Sequence, residues 1–294
     1  MIPSAGKLRS KENAMAWTLP AGLPQGRLVI PDPEYAEGEP ITEPVLWVCD
    51  DPVADAGPLW ARLLTVHPES GLWPLLLMGR PVTPRRAYSF PERARWEAGR
   101  PWHSAELAPV PTERIDEADA DQVLAKWWNT EFGAEKWLTR AWNVGRIQPF
   151  RSWPGIAPSS APGHDPDQHA ASVVTTPGRI RDLTMYEGDP YAGLARAQDG
   201  AAAIASCGWI SRAGGTADTA AVVRSWQVRF GARLCSLSMD TLGLSVAWPP
   251  TNPEQARLVA AEHFAFCPDL VATGTLDDRA RALVDAQVWA FWWD

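Results

Sequence analysis

Between Arg233 and Trp248 the apolar residues fall on alternate positions. Cys235, Leu237 and Met239 share one face, and Leu242, Leu244, Val246 and Trp248 alternate with Gly243, Ser245 and Ala247. A period of two sends successive side chains to opposite sides of a strand, so the stretch reads as two antiparallel strands joined near Asp240-Thr241. Two strands cannot bury an apolar face by themselves. The chain must supply further strands and covering helices, and its C-terminal half carries signals for both. Residues 218–230 place Val222, Val223, Trp226 and Phe230 on one helical stripe, with Gly231 as the stop. Asn252 and Pro253 open a helix that runs to Cys267, and Pro268 follows its end. Thr275 with Asp278 three residues later has the form of a capping box opening the last helix. Residues 288–293, apolar on both faces, read as a central buried strand.

The first half is less regular. Residues 1–14 are polar and read as a disordered leader outside the fold. Residues 28–30 give a short extended segment, and 45–49 a buried strand ended by Asp50-Asp51-Pro52. A helix is expected over 54–66, stopped by Pro68 and Gly71, and then a second buried strand over 72–78, where Pro74 points to an edge position or a bulge. Residues 79–111 form an irregular surface excursion rich in proline and arginine. Helices follow at 116–128, with acidic residues at its start, and at 134–142. Residues 152–179 are rich in Pro, Ser, Gly and His without periodicity, which predicts a linker or long loop. Beyond it, 191–207 reads as an alanine-rich helix ended by Gly208. The order helix, glycine, strand occurs around Trp60 and again around Trp226, which suggests a duplicated unit although the spacings differ. The expected fold is α+β, a mainly antiparallel sheet with packed helices, divided into an N-terminal domain over 15–151 and a C-terminal domain over 180–294.

Composition narrows the functional classes. A chain of 294 residues can bury a core without covalent staples. Its four cysteines, Cys49, Cys207, Cys235 and Cys267, are far apart and form no C-x-x-C pair, which fits reduced thiols and a cytoplasmic location. The most apolar run, 72–78, is too short to span a bilayer, and no signal peptide is visible, so membrane insertion is not expected. A formal charge of −8 disfavours nucleic acid, the arginines from Arg80 to Arg100 being the one local exception. The 17 tryptophans invite a stacking surface, but Trp47, Trp60, Trp73, Trp226 and Trp248 lie inside apolar runs and are expected to fill cores. Trp102, Trp142 and Trp153, in polar or Pro-flanked surroundings, are the exposed candidates.

Chemistry could reside on the helix that ends at Cys267. His263 and Cys267 lie four residues apart on its apolar side, a spacing that suits two metal ligands or a thiol beside an imidazole base. Further ligands would have to come from Asp240, Asp269 or Asp294. The plainer alternative is packing, with the ring bonded to a backbone group and the thiol a small hydrophobe. Glu262, on the flank of the helix, is a candidate general base or else the partner of an arginine such as Arg233. Asp269, directly after Pro268, is more at home satisfying turn amides. No cofactor motif is present: no G-x-G-x-x-G, Walker-type Gly-Lys loop, G-x-S-x-G elbow or H-E-x-x-H occurs. His164 and His169 fall in the expected linker and should be exposed.

The segments 224–233, 240–242 and 246–250, the block from Glu262 to Asp269, and Phe291-Trp292-Trp293-Asp294 together resemble the domain-of-unknown-function 4253 family. The resemblance covers the last third of the chain and implies a bacterial, actinobacterial-type protein; it brings no activity with it. The leading functional expectation is a non-catalytic binding or interaction module for a protein or small molecule, acting through an aromatic surface and without a cofactor. The alternative is a metal-dependent hydrolase-type enzyme using Glu262, His263 and the carboxylates of Asp240 and Asp269.

Overall fold

The computed structural model of the chain describes residues 17–31, 41–78, 107–133, 145–209 and 214–293. The expected leader, the arginine-rich stretch to residue 106, the helix at 134–142, Trp102, Trp142 and Asp294 lie outside them.

The hairpin is present as β5 (Ala232–Leu237) and β6 (Thr241–Val246), paired antiparallel with a register shift between Leu234 and Ser236. It belongs to one seven-stranded sheet with β1 (Gly26–Val29), β2 (Leu46–Cys49), β3 (Leu72–Leu77), β4 (Tyr191–Arg196) and β7 (Val288–Trp292), in the order β1-β2-β4-β3-β5-β6-β7. Every pairing is antiparallel except β3 with β5. Two expectations are corrected by this order. β4 occupies the front of the stretch expected to be alanine-rich helix. Pairing on both sides, with β2 and β3, outweighs the helical preference of its alanines, and the side-chain-free Gly193 leaves room for Leu77, whose Cδ1 would lie 2.4 Å from a Cβ there. β7, expected at the centre, is an edge strand, with Trp289 and Phe291 buried and Val288, Ala290 and Trp292 half-buried.

β3 in turn is central despite Pro74. Its parallel ladder with β5 involves only Leu76 and Leu77, so at Pro74 no N–H is demanded on that side. Indole groups take over there: Trp73 Nε1 donates to the Leu234 carbonyl at 3.0 Å, and Trp60 Nε1 to the Pro74 carbonyl at 2.9 Å.

Helices cover both faces. On one side lie α1 (Ala56–Ser70), α3 (Pro166–Thr175) and the short α4 (Arg179–Thr184). α4 rests directly on the sheet at Gly243, where a Cβ would come within 2.1 Å of the Leu183 carbonyl oxygen, and Ser236 Oγ donates to that oxygen at 2.8 Å. On the other side are α2 (Ala120–Phe132), α5 (Gly200–Cys207), α6 (Thr216–Phe230), α7 (Pro253–Phe266) and α8 (Leu276–Leu283). The helix starts follow the sequence signals: Asp119, Asp165, Asp199 and Asn252 each accept from an amide three residues on, and Thr275 with Asp278 forms the capping box. The two helix–glycine–strand units, α1-Gly71-β3 and α6-Gly231-β5, end in left-handed glycines with φ of 64° and 60°, and their strands are the parallel neighbours at the centre of the sheet.

One sheet thus takes β1 to β3 from before residues 152–179 and β4 to β7 from after them. The expected two-domain division finds no counterpart in the sheet. The Pro- and Ser-rich stretch that suggested a linker carries α3, whose Ala170, Val173 and Val174 are buried.

Candidate functional site

α7 is buried over most of its length, because α2 and α8 pack on it, Trp226 and Arg229 of α6 bond to it, and Trp289 and Phe291 of the sheet lie against it. Glu262, Ala261 and His263 are therefore all enclosed. The Glu262 carboxylate is fully engaged: Oε1 accepts from the Ala157 amide at 2.7 Å and Arg229 Nη1 at 2.8 Å, and Oε2 accepts from Arg229 Nη2 at 2.6 Å and Trp226 Nε1 at 2.7 Å. Arg229 reaches on to the Ala157 carbonyl at 3.0 Å and Ser225 Oγ at 2.9 Å. The partner is Arg229 rather than the expected Arg233, which instead pairs with Asp167. This network ties α6, α7 and the chain around Ala157 together and leaves no lone pair turned toward a substrate.

His263 lies in an aromatic cage, with ring centroids 4.7 Å from Trp289, 4.8 Å from Phe291 and 5.4 Å from Trp226. Its Nδ1 faces Arg279, with Nη2 at 2.9 Å and Nε at 3.2 Å. Since a guanidinium only donates, Nδ1 accepts and the ring proton is assigned to Nε2. Burial, reinforced by the charge of Arg279, holds the imidazole well below its ordinary pKa, so it is neutral. Cys267, just past the helix, donates its thiol to the Trp292 carbonyl at 2.8 Å, and burial pushes its pKa up to about 12. Imidazole and thiol thus face different partners.

The carboxylates do not join them. Asp240 sits in the β5–β6 turn, where Oδ1 accepts from Tyr186 Oη at 2.6 Å and Ser238 Oγ at 2.8 Å. Asp269 lies in the 3-10 turn Pro268–Thr273, and its charge is one of the influences raising the Cys267 pKa. Among the described residues no three His, Cys, Asp or Glu side chains gather as a metal site would require. Of the core tryptophans, Trp47, Trp60, Trp73 and Trp226 are buried as expected, and Trp153 is half-buried, bonded to Asp121 at 2.7 Å.

Trp248 is the exception. It forms a wall of an open cleft of about 720 Å³, completed by the chain at 158–164, the start of α7 and the segment before β7. His164 and His169 also line it, stacked with centroids 6.5 Å apart and planes within 7°. Trp248 Nε1 donates to the His164 carbonyl at 2.8 Å, which pins the 158–164 chain over the end of β6. Burial lowers the pKa of His169, His164 lowers it further, and the Val246 backbone opposes both. His169 Nε2 is enclosed without a hydrogen-bond partner among the described residues. Gln255 Nε2 donates to the Pro158 carbonyl at 2.9 Å and fixes the far side. Both imidazoles were expected to be exposed in a linker; His164 is exposed there, whereas His169 is half-buried on α3. The capping interval from Asp165 to Gln168, which starts a helix and turns His169 inward, was the signal that could have placed it.

Residues 191–294 match the family model described as a domain of unknown function, DUF4253; the match begins at β4 and runs to the last residue. No curated protein and no solved structure matches the chain.

Proposed function

We propose that the chain is a non-catalytic binding module whose ligand, a small polar molecule with one flat apolar face, sits in the Trp248 cleft. The observation that carries this reading is the cleft itself: an indole wall and a stacked imidazole pair face a volume in the range of small-molecule sites. An indole offers a flat surface on which a sugar, base or aromatic ring can lie, and the imidazoles and nearby amides supply directional bonds. The engaged state of Glu262 and the caged state of His263 supply no support for the hydrolase alternative, which needs both groups turned toward a substrate. Four free, buried thiols favour a reducing, cytoplasmic setting, and the absence of any long apolar helix among the described residues removes one route to a membrane. The test is saturation-transfer NMR with monosaccharides, nucleosides and aromatic amides. Binding is expected in the wild type and should be lost in Trp248→Ala, with the folded spectrum retained. Ligands that bind equally well to Trp248→Ala, or turnover of an ester or phosphoester panel that disappears in Glu262→Gln, would overturn the reading.

A further inference from the structure

Among the described residues Arg279 is a cation with no counter-charge. It is half-buried on α8 and spends Nε and Nη2 on the neutral His263 ring; no carboxylate among the described residues pairs with it. By contrast, Arg229, Arg224 and Arg233 have the acidic partners Glu262, Asp116 and Asp167. A guanidinium withdrawn from water without an anion is costly, and burial has already lowered the pKa of Arg279 to about 10. The side chain opens on a cavity of about 440 Å³ along the free edge of β7.

That cavity has two characters. Leu270, Met185, Val288, Ala290 and Trp292 give it an apolar wall. Its other ionic groups are Arg179 and Asp182, which pair with each other at 3.1 Å, and Asp285. The edge adds donors. Val246 N bonds to Gln287 O, and Trp293 N to Asp240 O, so the odd-numbered residues of β7 face β6. In an antiparallel ladder the alternate residues then direct their N–H and C=O groups outward, here at Val288 and Ala290. The Trp292 carbonyl, on the same side, already accepts the Cys267 thiol.

We propose that this cavity binds a small monocarboxylate with an apolar body, its carboxylate on Arg279 and its body against Trp292, Leu270 and Ala290. A single charge fits better than a phosphate dianion, because one guanidinium is uncompensated and Asp285 already places a negative charge on the rim. The site is separate from the Trp248 cleft and does not rest on the reading given for it.

Benzoate is a suitable probe, with neutral benzamide as its near-isostere and inorganic phosphate as the dianion. A fragment of this size should bind with a dissociation constant on the order of 1 mM. At about ten times that concentration it should raise Tm by about 2 °C at constant ionic strength. It should also move the His263 Nδ1 resonance in a long-range 15N spectrum, since the guanidinium that bonds to Nδ1 would then share its charge. Benzamide and phosphate should do neither, and Trp248→Ala should leave both effects intact. Arg279→Gln should abolish them. Because that variant also disturbs His263, Ala290→Leu serves as the second: it fills the cavity, leaves Arg279 in place and should block benzoate. A wild-type His263 resonance that stays still, benzamide acting as strongly as benzoate, phosphate displacing benzoate, or Ala290→Leu binding normally would each overturn the proposal.

Discussion

A carboxylate pointing into a protein interior persists only where its lone pairs are taken, and Glu262 meets that condition through Arg229, Trp226 and the Ala157 amide. Removing one member leaves the other charge buried and alone. Glu262→Ala should therefore destabilise the protein by about 3–5 kcal/mol, while the double change Glu262→Met with Arg229→Met should cost less than the single. Urea unfolding of the two variants beside the wild type checks this; a near-neutral Glu262→Ala would show that the network is dispensable. His263 makes a pH prediction of definite sign. Its pKa is lowered in the folded state, so below the ordinary 6.5 the unfolded chain takes up a proton that the folded chain refuses. The stabilisation is complete above that value and is lost as pH falls, with a slope approaching about 1.4 kcal/mol per pH unit. His169 is shifted in the same direction and adds to the loss. Unfolding measured from pH 7.5 to 5 should show the slope, and His263→Phe should reduce it; an unchanged slope would mean that another group is responsible. The placement of His263 in an apolar stripe was legible from its position beside Val259 and Phe264. The identity of Glu262's partner was not, because Arg229 and Arg233 are only four residues apart, and it is the end of α6 at Gly231 that leaves Arg229 on the helix and carries Arg233 onto β5.

Elements carry the next layer of constraint. Gly71 and Gly231 end α1 and α6 in the same left-handed conformation, yet their surroundings differ. A methyl at Gly71 meets nothing within 4 Å, whereas at Gly231 it would lie 3.0 Å from Trp248 Cδ2 and 3.1 Å from Ala247 Cβ. Gly71→Ala should cost about 1 kcal/mol, the backbone penalty alone. Gly231→Ala should cost clearly more and should shift the Trp248 indole resonance, because the ring must move within the cleft. Equal costs would place the Trp248 ring away from Gly231. At the far end of α7, Cys267→Ala removes a buried thiol and its bond to the Trp292 carbonyl, for about 1 kcal/mol. The caps of α7 and α8 could be read directly, since Asn252-Pro253 and Thr275 with Asp278 are local chemistry. β4 could not. Its alanines favour a helix, and only the neighbouring β2 and β3, distant in sequence, make it a strand. β7 failed for a related reason: its apolar alternate face looks like burial between strands, but what covers it is the Arg279 cavity and α4.

At the scale of the whole molecule, the order of strands decides how the chain can come apart. The family match begins at β4 and continues through β7, but β3, from the first half, stands between β4 and β5. A fragment of residues 180–294 would keep the β5-β6-β7 ladder and lose both partners of β4, together with the parallel neighbour of β5. It would also lose the Ala157 amide that helps hold Glu262, along with α2, which packs on α6 and α7. Leu194 and Ala195, fully buried in the complete sheet, would be exposed on an unpaired strand. We therefore expect this fragment to be unfolded or aggregated, and the full chain to unfold in urea as one cooperative unit, with far-UV circular dichroism and tryptophan fluorescence following the same curve. Limited proteolysis gives an independent check. Residues 152–179, for all their proline and serine, contain α3, which packs on α1, β5 and β6. Cleavage there should be slow, and the nicked halves should stay associated. Two separately stable pieces, or two resolved transitions, would show that the halves fold independently and that the shared sheet is only a contact between them.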